Sequence, residues 1–147
     1  MNSRNPKVDE ATRSEWRELG FFYDYDAKEA CWRLLGSRVG LLRFCDLLVQ
    51  YAANPKNNKK SEHDHYGPYM YLEIMTWDEA QITDHAITGS WGQLQKLSEL
   101  CREKLTTSNP GDVIAIDKEY SQINTAKLRF EIQHDDFDPA SADPQLR

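Results

Sequence analysis

Two stretches of this chain echo each other at a fixed spacing of 53 residues. Trp32-Arg33-Leu34-Leu35-Gly36-Ser37 precedes Leu41, Phe44, Leu47 and Leu48, and His85-Ala86-Ile87-Thr88-Gly89-Ser90 precedes Leu94, Leu97, Leu100 and Cys101. Each copy reads as a short strand, a Gly-Ser pair and an amphipathic helix. A serine at that junction can accept a backbone N–H that the first helical turn leaves unpaired. The apolar period predicts one helix over about 38–53, with Leu41, Phe44, Cys45, Leu48, Tyr51 and Ala52 inward. It predicts a second over about 91–105, with Trp91, Leu94, Leu97, Cys101 and Leu105 inward. Asn54-Pro55 and Asn109-Pro110-Gly111 end them, by removing a donor or favouring a turn.

Both helices need a surface on which to bury their apolar sides, and the remaining sequence supplies strands. Tyr69–Thr76 is rich in aromatic and apolar residues, and is expected to hairpin into a strand over about Thr83–Thr88. Asp112–Asp117 is short and apolar in its middle. Ala126–Ile132 alternates cleanly, with Ala126, Leu128, Phe130 and Ile132 on one side, as a half-exposed antiparallel strand does. Gly20–Tyr25 folds back on Glu29–Leu35 through Asp26-Ala27-Lys28. The expected fold is therefore α+β and two-layered. It has a mainly antiparallel sheet of about five to six strands and two amphipathic helices on one face. The arrangement is ferredoxin-like, with pseudo-repeats over about 20–53 and 69–105.

A chain of 147 residues fits one domain. We expect it over 13–134, with a disordered segment at 1–12 and an acidic disordered tail at 135–147, since both ends are polar. Three cysteines, Cys31, Cys45 and Cys101, have no CxxC spacing and sit among apolar residues, so they read as buried free thiols. With a polar start that lacks a signal-peptide core, they suggest a reducing cytoplasmic location. No apolar run is long enough for a membrane span, so no membrane partner is expected.

The net charge of −6 is unevenly placed. Lys28–Lys60 holds seven basic residues and two acidic ones, whereas Ser61–Gln95 holds six acidic residues and neither Lys nor Arg. The acidic balance argues against nucleic acid as a partner, because phosphate affinity rests on clustered cations.

Chemistry-bearing residues gather in one place. In Glu62-His63-Asp64-His65-Tyr66, an H-x-H pair on a strand would set two imidazoles on one side, within reach of a transition metal, with a third ligand to come from His85, Asp64 or Glu62. The plain alternative is a polar loop whose histidines meet solvent. No nucleophile elbow, P-loop or other catalytic motif occurs, so no catalytic residue is assigned. A small-ligand or metal-dependent enzyme built on the His63/His65 loop is the alternative reading. Tyr66, Tyr69 and Tyr71 form an aromatic group that could share a sheet face with Arg33 and Arg129. Such a face suits a protein interface. It also suits base stacking, although the RNP1 pattern is absent.

The stretch from Tyr66-Gly67-Pro68-Tyr69-Met70-Tyr71-Leu72-Glu73-Ile74 through Ile87-Thr88-Gly89-Ser90, Leu94 and Leu97 resembles small uncharacterised bacterial proteins. Some of these are grouped with immunity proteins of polymorphic toxin systems. The resemblance covers about half of the chain. It implies a non-catalytic bacterial protein that binds and blocks a toxin, and it carries over no catalytic residue. The expected function is thus a binding module acting through a protein interface, with another protein or a second copy (a homodimer) as its partner.

Overall fold

Ser37 and Ser90 cap the two helices as their spacing predicts. Ser37 accepts from the Gly40 amide. Ser90 accepts from Gln93, whose side chain takes the Ser90 amide in return. The computed structural model describes residues 5–146. In chain order it contains α1 (Pro6–Leu19), β1 (Phe22–Asp26), β2 (Cys31–Ser37), α2 (Arg38–Ala53), β3 (His63–Tyr66) and β4 (Leu72–Thr76). Then come β5 (Gln81–Ile82), β6 (Ala86–Gly89), α3 (Trp91–Thr106), β7 (Val113–Ile116) and β8 (Lys127–Gln133). The fold is mixed α+β, and no helix of the described residues is long and apolar enough to cross a membrane.

The strands form two sheets, not the single sheet of five or six strands expected. Their orders are β1-β2-β8-β7 and β3-β4-β6-β5, eight strands among the described residues. In each sheet the middle pair is parallel (β2 with β8, β4 with β6) and the outer pairs are antiparallel. The hairpin expected between Tyr69–Thr76 and Thr83–Thr88 is absent for this reason. β5 turns back first and pairs with β6, so β6 enters between β5 and β4 and runs parallel to β4. β8 alternates in burial as a half-exposed strand does, but it is antiparallel to β7 alone and runs parallel to β2.

Helices α2 and α3 pack on each other, joined by the Ser98 hydroxyl donating to the Cys45 carbonyl at 2.8 Å. α2 touches β2 and β8, whereas α3 touches β6 and β7, so the helix pair contacts both sheets. One apolar cluster runs through all of these, including Leu41, Phe44 and Leu48 of α2, Leu94 and Leu97 of α3, Ile74 and Ile87 of one sheet and Leu34 and Phe130 of the other. Cys31, Cys45 and Cys101 are buried free thiols, and burial pushes the Cys101 thiol well up.

Both chain ends differ from the expected disorder. Residues 1–4 and 147 lie outside the described residues. From Pro6 the chain is helical, with Asn5 capping and Gly20 (φ +96°) ending the helix. The acidic tail forms two short 3-10 turns, Pro139–Ala142 and Pro144–Leu146. Its apolar content alone would not order it. What does so is a buried carboxylate: Asp143 is 1% exposed and accepts from the Trp16 indole at 2.8 Å and the Tyr69 hydroxyl at 2.6 Å. Arg17 fastens the same tail through Asp138 at 3.0 Å and holds that carboxyl below its ordinary value.

Candidate functional site

β3 is the edge of the second sheet, and its alternation puts His63 and His65 on one side. Antiparallel pairing sets His65 directly opposite Glu73 of β4. The His65 Nε2 lies 3.3 Å from the Glu73 Oε1, and the two imidazole rings stand 5.2 Å apart, nearly perpendicular. The His63 Nδ1 lies 3.0 Å from the Ser61 carbonyl oxygen. A carbonyl only accepts, so Nδ1 carries the proton and the neutral ring keeps its lone pair on Nε2. One ligand-type atom from each of His63, His65 and Glu73 falls within 4.8 Å of the others. His85 does not join them. It sits in the turn before β6 beside Asp84, with its side chain 87% exposed.

The loop from Gly67 to Tyr71 joins β3 to β4 and is fastened at both ends. The Tyr23 hydroxyl, from β1, donates to the Tyr66 carbonyl and accepts from the Tyr71 and Leu72 amides, each at 3.1 Å. Gly67 has φ +86°, and a Cβ there would come within 2.7 Å of the Tyr23 ring, so only glycine fits. Tyr69 turns inward to Asp143, with its ring beside Trp16. Met70 takes φ +59°, rare for a residue with a side chain, and is 57% exposed. Tyr71 is 64% exposed. Tyr66 is half-buried, and burial pushes its phenol far up.

Beside this loop lies a cavity of about 440 Å³ lined by Glu15, Glu18, Leu19, His65, Gly67 and Met70, among others. Among the described residues neither Glu15 nor Glu18 forms an ion pair. A second hollow of about 280 Å³ shares Glu18 and Leu19 with it and continues to Arg43, Leu47 and Tyr66.

The shared face of tyrosines and arginines does not form. Arg33 and Arg129 lie in the first sheet, Tyr69 and Tyr71 in the loop of the second. Arg33 makes a two-pronged contact with Asp24 (2.8 and 2.6 Å), and Glu131 sits between Arg33 (3.5 Å) and Arg129 (3.2 Å). These cations are already matched by carboxylates. The strand expected over Tyr69–Thr76 also starts late, because Met70 takes a left-handed backbone and β4 begins only at Leu72.

Several residues of the site were not singled out by sequence reasoning. Glu15 and Glu18 depend on α1, whose signals were present: Asn5-Pro6 to start it and Gly20 to stop it. Asp143 and the Tyr23 hydroxyl act across 74 and 43 or more positions, respectively, and no local pattern announces them. Comparison with known proteins finds no matching family model, no matching curated protein and no matching solved structure.

Proposed function

We propose that this chain is a non-catalytic binding module, and that it docks a basic protein surface on the Gly67–Tyr71 loop and the acidic cavity beside it. One observation carries the reading. A loop fixed by Tyr23 and Asp143 holds Met70 and Tyr71 outward, next to two carboxylates with no cation of their own. Methionine and tyrosine are favoured interface anchors, and a left-handed backbone at a non-glycine residue is a strain kept where function needs it. Unpaired Glu15 and Glu18 suit Lys or Arg of a partner by charge complementarity. An immunity-type role, binding and blocking a toxin, is the form of this reading that the sequence resemblance implies, and the two carboxylates make that toxin's docking surface a basic one.

A finer account of the architecture belongs to the same proposal. β1-β2-α2-β3-β4 and β5-β6-α3-β7-β8 are two copies of one unit, each of which lends its last two strands to the other's sheet. The 53-residue echo and the equal order of pairings support this.

Crosslinked capture from the native host tests the docking face. The arms are the wild-type chain, Met70→Ala/Tyr71→Ala, Glu15→Lys/Glu18→Lys and an Ile123→Ala control on the opposite connection. The reading expects one basic protein, retained by the control and reduced at least about tenfold by both double variants. Equal capture by all four chains, or a homodimer with no further partner, would overturn it.

A further inference from the structure

We propose that the outer face of β3 and β4 binds a divalent transition metal of the zinc class through His63, His65 and Glu73. This does not depend on the docking reading. Three features of the triad point to a metal. The donor set is two imidazoles and one carboxylate, which suits zinc and its neighbours and not the hard, all-oxygen cations. The geometry is close to closed. A tetrahedral ion with bonds of about 2.0–2.1 Å holds its ligands roughly 3.4 Å apart. His65 and Glu73 already stand at 3.3 Å, and no pair of the three ligand atoms exceeds 4.8 Å. The remaining gap is small, and both imidazoles stand exposed at the sheet edge.

The third feature is the support behind His63. Its Nδ1–H is held by the Ser61 carbonyl, which turns Nε2 into the available ligand atom, the usual backing of a metal-bound histidine. Ser61 is itself fixed, because its amide donates to the Thr76 carbonyl at 2.8 Å, just beyond the end of the β3–β4 ladder.

The fold does not by itself demand these residues. Counting back from the two capping serines, Glu73 pairs with Ala86, four before Ser90, and Arg129 pairs with Arg33, four before Ser37. The first sheet therefore sets Val113, Ala115 and Arg129 at the places where the second sets His63, His65 and Glu73. One backbone arrangement thus carries a ligand triad in one sheet and none in the other. Three protein ligands leave a fourth position for water, and His65 also lines the cavity beside Met70.

Titration of the full chain with Zn²⁺, and with Co²⁺ read by its visible absorption, tests the site. The expected result is about one ion per chain, no competition from Mg²⁺ or Ca²⁺, and cobalt bands of low coordination number. His65→Ala, His63→Ala and the isosteric Glu73→Gln should each weaken binding at least about tenfold, whereas His85→Ala should leave it unchanged. Circular dichroism confirms that each variant is folded. Absence of zinc binding, or equal binding by wild type and the His63→Ala/His65→Ala pair, would overturn the proposal.

Discussion

On the first sheet an alternating row of charges, Asp24, Arg33, Glu131 and Arg129, runs across the outer face, each cation matched by a carboxylate. On the second, the corresponding face carries two histidines and a glutamate, and its hairpin loop projects Met70 and Tyr71 beside Glu15 and Glu18, which have no ion pair among the described residues. The order and sense of pairing are the same in both. The fold therefore explains the cores and not the surfaces. The first sheet spends its polar residues on one another, in surface pairs worth about 0–1 kcal/mol each. The second turns His63, Met70 and Tyr71 outward, toward whatever lies outside the chain.

The largest effects should come from the shared core, where the two sheets should behave alike. Phe130 and Ile74 are 0% exposed and occupy matching strands. Phe130→Ala should cost about 3–5 kcal/mol and Ile74→Ala about 2–5 kcal/mol in urea unfolding. Both should shift a single cooperative transition. Two separate transitions would mean that the sheets are independent units.

Next come changes that loosen the second sheet's loop and the elements that fasten it. Asp143→Ala removes the acceptor of the buried Trp16 indole, at about 1–3 kcal/mol, and the Tyr69 hydroxyl's bond to the same carboxylate. Limited proteolysis should then cut the 139–146 tail first, before either sheet. Gly67→Ala combines a strained φ with a clash against Tyr23 and should cost about 1–3 kcal/mol by the same unfolding measurement.

The smallest effect is one of pH. Arg17 lowers the Asp138 carboxyl below its unfolded value, so this contact contributes fully above the ordinary aspartate pKa of about 3.9. The contribution is lost as pH falls through the lower folded value. Both side chains are largely exposed, so the change should appear as tail release in amide exchange below about pH 4 and not as global unfolding. An Asp138→Asn chain should show no such step.

Much of this arrangement was legible in the sequence. The helices end within a residue of the bounds that the apolar period sets, because Ser caps and Pro or Gly stops are local chemistry. Helix α1 escaped although Asn5-Pro6 and Gly20 mark its ends locally; most of what else escaped was non-local. Parallel pairing of β4 with β6 needs the two-residue strand β5 to turn back first, and two residues carry no periodicity. Strand β3 was hidden because His-Asp-His-Tyr is polar and reads as a loop. At the candidate site, the H-x-H pair was visible but its third member was not. The choice between Glu73 and His85 depends on cross-strand register, which the residues around either do not encode.

Amide chemical-shift mapping of the full chain during Zn²⁺ titration tests most directly that one of two matched faces is the working one. The account predicts shifts confined to residues 61–66 and 72–76, with 113–116 and 127–133 unmoved. Shifts centred on His85 or His134, equal shifts on both sheets, or none at all, would contradict it.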